Sequence, residues 1–270
     1  NVPVTDLFAA AIMPGLMLAV LYTGYTLIRC HLNPNLGPVV PEDLIPDSMK
    51  EVWVEFFKGL VPPVLLVGSS LGSILAGWAT PTEGAAMGAV GAILLTLAYR
   101  KLTFESFKSS LLKTLEITTL IMVLVCASNF FGSVFSRLGT PTMITEYLML
   151  LDLPPTAILL IIMAFIFLLA WPLEWVPIVL IIIPIVLPLI EQLGFNLTWF
   201  GILVAVNLQT AWLSPPVALS AYFLKGVVPE WDLADIYKGM MQFMAIQVVG
   251  LALIIIFPQI VLWLPTYLYG

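Results

Sequence analysis

Charge is what this sequence has least of. Lys, Arg, Asp and Glu make up 10% of its 270 residues, where a soluble domain carries roughly 25%. There is one histidine, His31, and there are two cysteines, Cys30 and Cys126. A single histidine excludes the His pair of a membrane zinc protease. Cys126 lies inside an apolar run and Cys30 ends another, which offers neither a disulfide framework nor metal-ligand spacing. Asp6, Asp43, Asp47, Asp152, Asp232 and Asp235 all fall at boundaries or loops, so no aspartate pair sits within an apolar run. His31 flanks the basic turn at Arg29, far from where a Ser–His dyad would need it. No Walker phosphate loop occurs. The formal charge of −6 includes no basic stripe with interleaved aromatics, so nucleic acid is not an expected partner. These absences argue against an enzyme.

What is present is apolar: 61% of the residues are hydrophobic. A bilayer core of about 30 Å is crossed by roughly 20 apolar residues in a helix. Several runs reach that length without the two-residue alternation of a barrel strand. The expected class is therefore all-α, a polytopic membrane protein. The first run, Leu7–Ile28, is interrupted by Pro14-Gly15. A Pro/Asn-rich linker, Asn33–Pro46, precedes an amphipathic segment Asp47–Leu60, with Ser48 and Glu51 spaced as a capping box. Leu60–Ala79 and Gly84–Tyr99 are rich in small residues four apart, which lets helices approach closely in lipid. "TPTE" (Thr80–Glu83) joins them, and Glu83 is read as a helix-end residue. Arg100–Lys113 is amphipathic again. Both basic segments are expected on the cytoplasmic side. Thr156–Ile190 is too long for one crossing and is expected to break at "WPLEW" (Trp171–Trp175), with Pro172 and Pro177 as breakers.

Two polar stretches interrupt the later runs. In "NLQTAWLSPPVALSAYFLKG" (Asn207–Gly226), Pro215 and Pro216 cannot donate a backbone hydrogen bond. The helix beginning near Thr198 must stop near Ser214, and a short helix follows over Val217–Lys225. Freed carbonyls then face a positive helix end. Such backbone survives in a membrane only when buried in protein or lining a cavity, as in secondary transporters. "ASNFFGS" (Ala127–Ser133) is read as a second break, the tip of a re-entrant hairpin with Gly132 at the turn. The expected ion-binding residues are Ser128, Asn129, Gly132, Asn207, Thr210 and Ser214. The expected substrate-facing residues are Ser133, Gln209, Pro215 and Pro216, beside positive helix ends near Gly132 and Pro216. Glu174 is read as an interfacial residue between belt tryptophans.

"DLFAAAIMPGL" (Asp6–Leu16), "GWATPTEGAAMGAVGA" (Gly77–Ala92), "NLQTAWLSPPVALSAYFLKGVVP" (Asn207–Pro229) and "DIYKGM" (Asp235–Met240) resemble the large membrane subunit of tripartite ATP-independent periplasmic (TRAP) transporters. The resemblance runs over nearly the whole chain. It implies an elevator-type fold built as an inverted repeat, in the bacterial inner membrane. It further implies sodium-driven import of organic acids, a small four-helix membrane subunit and a periplasmic binding protein. Ion ligands in this fold are mostly backbone carbonyls, hydroxyls and amides around the breaks.

Family members run longer and carry a first-half hairpin and Pro-Pro-Ser break that this sequence lacks, so the chain is expected to be a portion of a longer protein. Residues 1–28 are expected to end the first repeat, and 29–59 to form the linker and arm helix. Residues 60–113 form scaffold helices and a second arm, 114–239 the transport region, and 240–270 the last membrane helix. Where the family often shows Gly and Asp, this chain has Trp171–Glu174, which makes Glu174 the stand-in for that carboxylate. Two other readings stay open: a stand-alone elevator-type dicarboxylate or citrate carrier, and a non-transporting structural subunit.

Overall fold

The computed structural model describes residues 2–37, 48–173, 175–215 and 218–270. Glu174, Pro216, Val217, Asp43, Asp47 and the linker beyond Gly37 lie outside the described residues. Regular structure among the described residues is helical throughout. Among the described residues six helices are long and apolar enough to cross a membrane: Val4–Leu32, Met49–Leu75, Pro81–Ala98, Phe104–Arg137, Trp175–Gln192 and Leu233–Ile256. The chain divides into two compact units.

One unit holds mainly residues 24–116. Helix α2 (Met49–Leu75) starts at Ser48, whose hydroxyl accepts from the Lys50 N–H at 3.2 Å. The amphipathic segment and the following run, expected as two elements, are one helix. It continues through Pro62 and Pro63. Pro62 cannot donate to the Lys58 carbonyl. The Tyr99 hydroxyl donates there instead, at 2.8 Å. Helix α3 (Pro81–Ala98) opens with a full capping box, in which Thr80 and Glu83 bond reciprocally, so Glu83 is a helix-end residue as read. α2 packs on α3 through small residues as the spacing predicts. A Cβ on Gly84 would lie 2.6 Å from Ile74. Ser70 Oγ donates to the Gly84 carbonyl at 2.6 Å across the same contact.

The other unit holds mainly residues 10–23 and 117–270. Helix α1 (Val4–Leu32) runs unbroken through Pro14. Its Leu18 reaches the surface of α12 (Leu233–Ile256) at Gly250, where a Cβ would come within 2.5 Å. The core is built from α6 (Pro155–Leu169) and α9 (Leu197–Leu208), with α12 and α13 (Gln259–Tyr269) against α9. Ile158, Leu159, Ile166, Phe200, Leu203 and Ile254 are fully or almost fully buried there. Trp199 Nε1 donates to the Ile254 carbonyl at 3.1 Å and pins α9 to α12.

The expected break after α6 is present at Pro172, but Pro177, expected as a second breaker, is itself helical and the helix continues past it. The helix ends at Leu169, and turns over Ala170–Leu173 include Pro172. Helix resumes as α7 (Trp175–Pro177), widens into a π-helical stretch over Ile178–Ile182, and continues as α8 (Ile183–Gln192). π-helical turns of this kind occur mostly inside α-helices and often at functional sites.

The expected break at Ala127–Ser133 is absent. α4 runs as one helix of 34 residues, Phe104–Arg137. No proline interrupts it, and its polar side chains satisfy the helix rather than compete with it: Ser133 Oγ donates back to the Asn129 carbonyl at 2.7 Å. Gly132 is helical, not a turn. The helix ends instead just before Gly139, whose φ of +71° favours glycine, and the chain enters α5 (Thr140–Met149), which packs on α8.

Candidate functional site

Asn196 caps α9 by accepting from the Trp199 N–H at 3.0 Å. After a joint at Gln209, α10 (Thr210–Leu213) carries the helix one more turn. Ser214 then turns extended, with φ −95° and ψ 132°. A residue before proline is pushed out of the helical region by the proline ring. Pro215 and Pro216 lack N–H groups, so the carbonyls of Ala211 and Trp212 have no helical donor. The chain re-enters a helix as α11 (Leu219–Val227), slightly later than expected, with Ala218 N–H donating to the Ser214 carbonyl at 2.9 Å. The positive helix end predicted beyond the prolines is therefore present.

Asn207, Thr210 and Ser214 recur at three- and four-residue intervals and are all buried. Asn207 Nδ2 donates to the Met163 carbonyl of α6 at 2.8 Å. Thr210 Oγ1 donates to the Asn207 carbonyl at 2.6 Å. The remaining oxygens, Asn207 Oδ1 and Ser214 Oγ, are buried and unpartnered among the described residues. A buried polar atom left without a partner costs about 1–3 kcal/mol. Two such acceptors beside a broken helix form an arrangement that a small cation would satisfy. The oxygens on offer are neutral ones, an amide and a hydroxyl beside backbone carbonyls; among the described residues no group of three His, Cys, Asp or Glu could hold a metal.

Two further residues belong to this site. Gln247 of α12, 1% exposed, donates from Nε2 to the Val206 carbonyl at 3.0 Å and to Gln209 Oε1 at 2.7 Å. The Tyr22 hydroxyl of α1 donates to Gln247 Oε1. Sequence reasoning missed both. Gln247, one of two glutamines in α12, was the available signal, since an amide in a span needs partners.

Ser128, Asn129, Gly132 and Ser133 are brought together, although not at a hairpin tip. They line one wall of a cleft of about 700 Å³. Ser128 is buried, Asn129 and Ser133 are exposed, and Gly132 is half-buried. The positive helix end expected near Gly132 does not exist, because α4 is continuous there; the nearest helix start is that of α5. Ser136, Arg137 and Thr142 join the same cleft. Arg137 is the one charged residue among its described lining residues and had not been expected. Pro184 and Pro188 form part of the opposite wall, and Pro188 cannot donate to the Pro184 carbonyl.

The predicted residues thus form two groups. Asn207, Thr210 and Ser214 share the broken helix with exposed Gln209 and half-buried Pro215, while the α4 residues share the cleft. Pro216 lies outside the described residues.

The sequence model described as "Tripartite ATP-independent periplasmic transporter, DctM component" matches residues 1–260. The chain is 27% identical over its whole length to the sialic acid TRAP transporter large permease protein of Vibrio cholerae, covering 62% of that protein. It is 28% identical over 98% of its length to the C4-dicarboxylate TRAP transporter large permease protein of Rhodobacter capsulatus, covering 59% of it. Identity to the 2,3-diketo-L-gulonate TRAP transporter large permease protein of Escherichia coli is 25% over 96% of the chain, again 59% of that relative. The chain therefore spans about three fifths of the length of these relatives. With six helices able to span a bilayer, it is a multi-pass protein of the bacterial inner membrane and a transporter component rather than an enzyme. From its near-complete match to the family's sequence model, the chain belongs to the DctM component family of tripartite ATP-independent periplasmic transporters.

Proposed function

We propose that this chain supplies one half of the transport site of a sodium-driven importer of organic acids. The carrying observation is the broken helix at Ser214–Pro215, with Asn207 Oδ1 and Ser214 Oγ buried and unpartnered beside carbonyls that have no helical donor. Sodium, the coupling ion, takes those oxygens and the Ala211 and Trp212 carbonyls. The organic anion lies near the positive start of α11 and the hydroxyl-lined cleft of Ser128, Asn129 and Ser133, with Arg137 available to a carboxylate. The relatives' names support the substrate class: sialic acid, a C4-dicarboxylate and a diketogulonate are all organic acids.

Within this reading, 114–239 is the carrying region of an elevator-type mechanism and the chain is half of an inverted repeat plus the end of its other half. A small four-helix membrane subunit and a periplasmic binding protein complete the assembly; the words "tripartite" and "periplasmic" in the family description support them. The most apolar windows of Pro81–Ala98 and Phe104–Arg137 bury only 6% of their residues, which leaves apolar faces for lipid or a membrane partner. Co-purification of a small membrane subunit separates this assembly from a stand-alone carrier.

The test is sodium-dependent uptake by the native assembly in vesicles. Asn207→Ala is expected to lower it roughly a hundredfold. Asn129→Ala, an exposed change, is expected to lower it roughly tenfold with folding retained. Normal uptake in both variants would remove the site assignment.

A further inference from the structure

The orientation of three amides at the broken helix follows from one backbone carbonyl. The Val206 carbonyl can only accept, so the Gln247 atom 3.0 Å from it is the donor Nε2. That same nitrogen lies 2.7 Å from Gln209, so the Gln209 atom it meets is the acceptor Oε1. Gln247 Oε1 then points the other way, where the Tyr22 hydroxyl donates to it. Gln247 thereby uses both amide hydrogens and is 1% exposed, so it has no room to invert. Inverting Gln209 alone would set one NH₂ group against another. The consequence falls on Gln209 Nε2. Its two hydrogens have no partner among the described residues, and the side chain is exposed at the joint between α9 and α10.

We infer that Gln247 and Tyr22 are positioning residues that lock the Gln209 amide so that its NH₂ group is presented as a hydrogen-bond donor to the carboxylate of the transported anion. The inference rests on the organic-acid transport proposed above and gives the anion a neutral donor. Asn207 Oδ1 and the lone pairs of the Ser214 hydroxyl suit the cation. The lock therefore sorts the break into a donor edge for the anion and an acceptor edge for the cation. An unlocked Gln209 would also present its oxygen or swing away from the anion, and would weaken anion binding without touching the cation.

The experiment measures uptake of radiolabelled succinate and of sialic acid by the native assembly in vesicles. The anion KM, sodium half-saturation and maximal rate are read separately. Gln209→Glu keeps an acceptor for Gln247 but removes both donors. It should raise the anion KM roughly tenfold or more, with sodium half-saturation within about twofold. Gln247→Met should raise the anion KM roughly fivefold, and adding it to Gln209→Met should change nothing further beyond about twofold, because Gln247 acts only through Gln209. Effects that multiply, or a sodium shift as large as the anion shift, would overturn the lock. Should Gln247→Met fail to fold, Tyr22→Phe decides: a rise of roughly twofold to threefold in anion KM supports the inference, and an unchanged KM overturns it. Wild-type vesicles with no sodium-dependent uptake of either anion would overturn the proposed transport and this inference with it. Normal wild-type uptake with unaffected Gln209→Glu overturns the inference alone.

Discussion

One proline pair, Pro154-Pro155, opens α6; the two others fall within apolar runs of the sequence and do opposite things. Pro62-Pro63 lies inside α2, which passes through without interruption. Pro215-Pro216 ends α10, and the backbone leaves the helical region at Ser214. The ring chemistry is the same in both. What differs is what becomes of the carbonyls that each pair frees. At the first pair the Lys58 carbonyl takes the Tyr99 hydroxyl at 2.8 Å, so a side chain replaces the missing donor. At the second, no side chain among the described residues donates to the Ala211 or Trp212 carbonyl, and Asn207 Oδ1 and Ser214 Oγ are buried beside them without partners. A proline pair thus weakens a helix, and its surroundings decide whether the weakness is repaired or kept open for a ligand.

The comparison breaks or sharpens through four measurements. The largest effect is expected from replacing Pro215 and Pro216 by alanine. A continuous helix there should lower uptake roughly a hundredfold and raise helical content by circular dichroism. Next is Ser214→Ala, which deletes an unpartnered oxygen. Sodium half-saturation should rise roughly tenfold, while thermal stability holds or rises by about 1 kcal/mol. A loss of stability would show that Ser214 Oγ serves the fold. Tyr99→Phe removes the repair at the first pair and should cost about 1 kcal/mol in thermal unfolding, with uptake unchanged. The smallest effect on transport is expected from alanine at Pro62 and Pro63. Uptake should stay within about twofold and stability should not fall, since two helix-interior prolines are removed. If this change damages uptake as severely as the one at 215 and 216, the distinction between the pairs fails.

The legible parts of the fold were those with local causes. Pro215, Pro216 and Pro172 announced their breaks because covalent structure withholds a donor. Thr80 with Glu83, and Ser48, announced helix starts because their oxygens reach the first free N–H groups. The misread stretch was Ala127–Ser133. Its polarity resembled a break, yet Ser and Asn in a helix can turn back on the preceding turn, as Ser133 does toward Asn129. Without proline or a left-handed residue nothing forces the backbone out, and the helix gives way only at Gly139. The split of α2 into an arm and a span failed for the converse reason, because its proline pair is repaired by Tyr99, a partner 41 residues away. The candidate site was half legible. Asn207, Thr210 and Ser214 were visible as polar residues next to a break. The Tyr22–Gln247 pair was not, since its members stand 225 residues apart and only the fold brings α1 to α12.

The shortness of α6 has its own consequence. Fifteen residues rise about 22 Å, against a hydrocarbon slab of about 30 Å. The helix ends in the turn at Pro172, so it cannot be lengthened by simple continuation. Such a mismatch is relieved by thinning the lipid locally or by walling off the short end with protein. Five residues of α6 are buried, so neighbouring helices already provide part of that wall. Acyl-chain length should accordingly modulate this carrier, with shorter-tailed lipids easing whatever stretch of α6 still faces the bilayer.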